Sequence, residues 1–271
     1  MSFITKINNR YRYSLILLFE LVKTDFKLRY QGSALGYLWS LLRPLAIFTV
    51  LYFVFVKFLK VGDGIPHFSI YLLIGIVVWN FFVEITTGSV GSILSKGDLI
   101  RKINFPKYVI VLATSFSAFI NLFINFTVVI VFMILFGTDI SWRLIYIVPL
   151  LIAELYIFGL AVAFILAASN VKYRDVTYIW EVFLQAAFYA TPILYPLTMI
   201  PVAAQKIILL NPVAQIIQDI RYILVTNETV IGFKLFSTNL MKITPIIIVI
   251  ATVAFGSYYF RKHSKYFAER V

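Results

Sequence analysis

Residues 29–44 read RYQGSALGYLWSLLRP, and here the chain passes from a charged amphipathic arm into its first long apolar run. Upstream, charges recur every few residues; across 36–58 only Arg43 and Lys57 carry charge. Gly32 and Gly36 loosen the backbone, and Tyr37 and Trp39 are aromatics of the kind that collect at a membrane–water interface. The Arg43-Pro44 pair sets a snorkelling cation beside a local break in the helix. The stretch is read as the point where the chain goes into the membrane. Two roles stay open at this stage, a plain anchor with its aromatic and basic flank, or a gate or coupling element.

Composition agrees with a membrane assignment. Of 271 residues, 61% are hydrophobic and only 13% charged, whereas soluble domains carry about 25% charged residues. The net charge of +12 is spread over short segments between apolar runs, so the positive-inside rule accounts for it better than nucleic-acid binding does. Without cysteine, a disulfide framework and a thiolate metal site are both excluded. The patch 15–18 is interrupted at Glu20 and is not read as a cleavable signal. Around it, 14–31 places Leu15, Leu18, Phe19, Val22, Phe26 and Tyr30 on one helical face, with Glu20, Lys23, Thr24, Lys27 and Gln31 opposite. That pattern predicts an amphipathic helix lying on an anionic membrane surface.

Downstream, six stretches are long and apolar enough to cross a bilayer or nearly so: 37–59, 70–94, 108–136, 144–168, 179–197 and 243–260. The predicted fold class is an all-α integral membrane protein with six transmembrane helices in a single domain spanning 1–271. Six crossings put sixteen Lys and Arg on the side of both termini against seven on the other, Arg43 apart. Both termini are therefore assigned to the cytoplasm. The connection 96–107, KGDLIRKINFPK, opens with Gly97-Asp98 as a helix start and stops at Pro106. It reads as a short amphipathic helix with a docking function, or as a plain basic loop. Before the last span, Pro192, Pro196, Pro201 and Pro212 break the chain, and 202–210 and 213–225 are too short to cross. They read as re-entrant or interfacial helices capping a pathway, with an ordinary outer loop as the competing interpretation.

Ionisable groups inside apolar helices are costly and usually face a cavity or a partner helix. Here they are Glu84, Glu154 and Glu181. Asn80, Glu84 and Thr87 form one helical stripe; Thr114, Ser117, Asn121 and Asn125 form another, and interhelical hydrogen bonding explains them equally well. Phe48, Tyr52 and Phe55 share a face, as do Glu181, Gln185 and Phe188. Aromatic faces stack on sugar rings, which suits a glycan path but is met with in packed cores as well. No G-x-x-x-x-G-K-[ST] loop, paired histidines or nucleophile–base set is present; ATP hydrolysis, zinc chemistry and catalysis have no visible residues in this chain.

Taken in order, KTDFKLRYQGSALGYLWSLLRP, SKGDLIRKINFPK, NVKYRDV, TPILYPLTMIP and NPVAQIIQDIRYILV resemble the membrane (permease) subunit of ABC-type polysaccharide exporters. That family moves O-antigen, teichoic acid, capsular or rhamnose-rich glycans. The resemblance implies a homodimer in a bacterial cytoplasmic (inner) membrane, working with two copies of a cytoplasmic ATPase subunit that holds ATP and Mg, on a lipid-linked polysaccharide. This chain itself would carry no cofactor and bind no nucleic acid. By the same resemblance 96–107 becomes a coupling helix, with Gly97, Asp98, Arg101, Lys102, Phe105 and Pro106 as coupling residues. Residues 201–225 become outer gate helices, with Pro201, Pro212, Gln215, Asp219 and Arg221. Helical spacing nominates Phe48, Tyr52, Phe55, Glu84, Gln185, Phe188 and Tyr189 for a substrate tunnel, with Tyr37, Trp39 and Arg43 at its mouth. Competing functions are an exporter of a drug or smaller lipid, a membrane-embedded glycan-modifying enzyme using Glu84 or Glu181, and a secondary transporter with Glu84 and Glu154 as a proton relay.

Overall fold

The structure, a computed structural model, describes residues 3–30, 36–138 and 142–270, and all regular structure among them is helical. Helix α1 (Phe3–Tyr30) is the amphipathic arm and begins earlier than its apolar pattern; Gln31 lies outside the described residues. Its apolar side divides. Leu17, Leu18, Leu21 and Val22 pack on the core, while Leu15, Ile16 and Phe19 stay exposed beside them. Such a helix rests on protein along one edge and offers hydrocarbon along the next.

The first span is α2 (Trp39–Leu51), continued without a break by a π-helical stretch, Tyr52–Phe58. Helix α3 (Phe68–Val90) is the central post, with most of its residues buried against helices on every side. Short α4 (Ser92–Ser95) and α5 (Gly97–Lys102) follow it, then the long spans α6 (Tyr108–Leu135) and α7 (Arg143–Lys172). Helix α8 (Val176–Ala190) is shorter than the predicted span 179–197. It ends because Thr191 precedes Pro192 and is held extended, with ψ 139°. At ~1.5 Å per residue the helix covers roughly 22 Å of a core about 30 Å thick; a non-helical tail completes the segment.

Helices α9 (Val202–Ile208) and α10 (Pro212–Leu224) meet at 107°, a re-entrant pair. Asn211 caps α10 through the Val213 amide, and Pro212 sits at the first turn, where its missing N–H costs nothing. After α11 (Gly232–Leu235), the last span α12 (Asn239–Ser264) leads to α13 (Phe267–Arg270). Among the described residues, five helices are long and apolar enough to cross a membrane. The bent pair α9–α10 makes a sixth if it is counted as one span, whereas α8 alone is shorter than the predicted fifth span.

The α7–α12 seam depends on Gly256: a Cβ there would stand 2.6 Å from the Ala161 carbonyl oxygen. Backbones approach this closely only over small residues, and the approach supplies the van der Waals contact that holds helices together in lipid. At the end carrying α5, Asn170 donates to the Val90 carbonyl and accepts from the Thr177 hydroxyl, tying α3, α7 and α8 together.

Candidate functional site

Three helices supply one polar pocket. From α3 come Asn80, Val83, Glu84, Thr87 and Gly88, positions that share a face at helical spacing. Helix α6 adds Asn121 and Asn125, and α2 adds Trp39, Ser40, Arg43, Pro44 and Ile47. The cavity holds about 500 Å³. Its inner wall is fixed by hydrogen bonds: the Asn121 amide donates to Glu84 Oε1 (2.5 Å), and the Asn125 amide donates to the Asn121 carbonyl (2.8 Å). Exposure rises outward. Asn121 is 5% exposed, Glu84 and Asn125 are half-buried, and Arg43 is exposed. No described residue forms a hydrogen bond or ion pair with the Arg43 guanidinium. The side chain of Tyr37 lies outside the described residues. Sequence spacing had separated mouth (Trp39, Arg43) from tunnel (Glu84); the structure brings them into one cavity. Thr114 and Ser117, on the same predicted stripe as Asn121, instead donate to carbonyls of their own helix.

The aromatic stripe of the first span turns into the subunit's own core. Phe48 is buried edge-on against Phe132, at 5.7 Å between centroids, and Tyr52 and Phe55 pack half-buried on the same core. Trp39, Phe53 and Phe58 are exposed rings of this span. On α8, Phe188 is half-buried against Trp79. Gln185 and Tyr189 are exposed, and with Tyr178 and Glu181 they form a mixed polar and aromatic face free of other helices of the subunit.

At the α5 end, Asp98, Arg101 and Lys102 project outward, with Asp98 and Arg101 3.4 Å apart. Gly97 is buried, Pro106 is half-buried, and Phe105, 4% exposed, anchors the segment from beneath. Helix α5 rests on α13, whose Phe267 is fully buried and meets Phe260 edge-on. An ion pair of 2.6 Å from Lys96 to Asp25 joins this end to α1. A notch of about 390 Å³ lies beside α5, lined by Leu94, Ser95, Gly97, Asp98, Arg101 and Arg174. Sequence reasoning missed Arg174, because it reaches α5 from the connection between α7 and α8.

The opposite end is built on Arg221. Its Nε donates to the Tyr71 carbonyl (2.8 Å), Nη1 to the Pro192 carbonyl and Gln218 Oε1 (3.0 Å), and Nη2 to the Ile193 carbonyl (2.8 Å). The guanidinium also stacks 3.6 Å from the Tyr71 ring centroid, and the side chain is completely buried. Gly75 leaves the room: a Cβ there would run into Nη2. Arg221 thus fastens α10 to α3 and to the chain after α8, and is placed inside the fold, not on a pathway wall. Pro212 is buried as well, Pro201 is exposed, and Gln215 donates to half-buried Asp219 within α10.

Long apolar spans, a surface helix along one edge, a projecting short helix at one end and a re-entrant pair at the other define a multi-pass membrane transport subunit. The chain belongs to the ABC-2 type transporter family, whose sequence profile matches residues 16–225. It is similar to two proteins of Klebsiella pneumoniae named O-antigen export system permease protein RfbA. One is 32% identical over 80% of this chain and 82% of the relative, the other 29% identical over 94% and 95%. A protein of that name from Myxococcus xanthus is 31% identical over 74% of this chain and 76% of its own length. The chain is accordingly the membrane-spanning subunit of an ABC transporter, with ATP hydrolysis in a separate partner.

Proposed function

We propose that this protein forms the path by which a lipid-linked polysaccharide is carried out of the bacterial cytoplasm across the inner membrane. The observation that carries the reading is the likeness to O-antigen export permeases along nearly the whole chain. The geometry supports it. The basic end, with α1, α5 and α13, faces the cytoplasm by the positive-inside rule, and α5 with Asp98, Arg101 and Lys102 is the surface on which the ATPase docks. Two copies of the chain pair around the exposed α8 face, so Tyr178, Gln185 and Tyr189 line the glycan path, with Phe188 packed on Trp79 of α3 behind it. ATP and Mg bind between two ATPase subunits, whose closure moves α5 as a rigid body.

The test is export in cells carrying the chain and its ATPase. Deleting this chain, or inactivating the phosphate-binding lysine of the ATPase, leaves finished glycan on the cytoplasmic side, and restoring both returns it to the surface. Surface glycan that persists without the chain, or purified chain that hydrolyses ATP alone, overturns the proposal.

A further inference from the structure

The pocket between α2, α3 and α6 has an order built into it, from lipid to polar interior. Its outer lip is apolar: Ile47 lines the cavity and is exposed, exposed Val50 continues the same face of α2 at helical spacing, and α2 is a peripheral helix with little of its surface buried. Next comes Arg43, an exposed cation whose guanidinium takes no hydrogen bond or ion pair from the described residues. Innermost are Glu84 and the amides of Asn80, Asn121 and Asn125, with Asn121 bonded to Glu84 and Asn125 to the Asn121 carbonyl. Planar amides and a carboxylate are suited to adjacent hydroxyls, since each presents two polar atoms side by side. A guanidinium is suited to phosphate oxygens. The indole of Trp39, also on the cavity wall, offers a flat face for a sugar ring.

Depth places the pocket in one leaflet. Arg43 lies about 6 Å along α2 from its start, and Glu84 about 9 Å from the end of α3, at ~1.5 Å per residue. Both ends belong to the α5 side of the subunit, which is the inner leaflet on the orientation proposed above.

Lipid, cation, then amides and carboxylate is the order of chemical groups in a polyprenyl-type lipid whose phosphate carries a sugar. We infer that this pocket binds the phosphosugar head of such a lipid sideways from the inner leaflet, with the phosphate on Arg43, the first sugar among Glu84, Asn121 and Asn125, and the chain along Ile47 and Val50. The inference rests on the reading of the chain as a glycan exporter and deepens it, because it assigns a separate place for the lipid-linked end, apart from the α8 face that lines the path. An anionic head suits Arg43 but not Glu84, so phosphate is held at the lip and the uncharged sugar goes inward. A water-soluble sugar phosphate shares the polar chemistry yet leaves the apolar lip uncovered.

The test uses the purified complex with its ATPase, and native mass spectrometry of retained lipid. Three probes are compared: polyprenyl phosphate carrying one hexose, polyprenyl phosphate alone, and hexose 1-phosphate. The wild type retains the first about ten-fold better than the second, and hexose 1-phosphate at equal concentration does not displace it. Arg43→Gln loses about ten-fold, the size of one charge-assisted hydrogen bond, Arg43→Lys recovers most of it, and Asn125→Leu abolishes the preference for the sugar-bearing lipid. Undiminished binding by Arg43→Gln and Asn125→Leu, both melting as the wild type does, overturns the inference. So does equal retention of the two lipids, or displacement by hexose 1-phosphate. Export in cells separates the two levels: intact ATP-driven glycan export with normal lipid retention in both pocket variants sinks the pocket alone, whereas glycan export independent of this chain sinks the exporter reading.

Discussion

Replacing Arg221 by methionine removes a buried cation while keeping much of its volume, so the effect reports the clamp and not a large cavity. The guanidinium is shared among the carbonyls of Tyr71, Pro192 and Ile193 and the Gln218 side chain. Pro192 and Ile193 lie outside any helix, and their carbonyls accept from no other donor among the described residues. An orphaned buried acceptor costs about 1–3 kcal/mol, so the two together cost roughly 4 kcal/mol, and loss of the stack on Tyr71 adds about 1 kcal/mol. At about 2–4 °C per kcal/mol for a chain of this size, the melting temperature falls by roughly 10–20 °C. Intrinsic tryptophan fluorescence follows the melt in detergent, with Trp79 packed on Phe188, about one helical turn before Pro192. Arg221→Lys keeps the charge but reaches one carbonyl instead of three and falls about midway. A melting temperature for Arg221→Met within about 2 °C of wild type would show that the α10 contact with α3 is held by apolar packing, and the clamp would be refuted.

Gly75→Ala forces the same guanidinium aside and lowers the melting temperature, whereas Gly91→Ala, where a Cβ meets open space, changes it by less than about 2 °C. Gly256→Ala sets a methyl group against the Ala161 carbonyl; separation of α12 from α7 is expected, read as loss of a disulfide between cysteines placed across that seam. Phe267→Ala empties the site beneath α5 at a cost of about 3–5 kcal/mol, and ATP hydrolysis by the complex then continues with little glycan export. Lys96→Glu sets like charges against Asp25 and weakens coupling by about 1 kcal/mol; the double exchange Asp25→Lys with Lys96→Asp restores export, and failure of that rescue argues against the ion pair.

Length and apolarity made the spans legible, and Pro and Gly marked the short helices at both ends. Which face of each span points inward was not legible, and the reason is physical. In lipid both the packed side and the exposed side of a helix are apolar, so periodicity loses the contrast that orients helices in water. Phe48, Tyr52 and Phe55 share a face by spacing, but that face looks into the core, and π-winding over Tyr52–Phe58 departs from the 3.6-residue period on which the spacing rests. Polar stripes were better guides. Glu84 and Asn121 stood out on separate helices, and only the fold brought Arg43 into the same cavity. Arg221 reads in sequence as one more charge on an amphipathic helix; its acceptors lie far off in sequence, at Tyr71 and Pro192, and no local pattern announces them.

Helix α3 has its two ends fastened differently. At one end it runs on through α4 into the projecting α5, and at the other it is gripped by Arg221. Twenty-three residues of unbroken helix make a strut of about 35 Å, wedged by neighbours along most of its length. Such a strut resists bending, so on the docking proposed for α5 a push received there would reach the re-entrant pair in one stroke. The parts left to slide are those lightly held, α2 with its π-wound tail and the outer face of α8. On that proposal opening would be a matter of skin moving over a stiff spine, with the cavity between α2, α3 and α6 in the crease between the two.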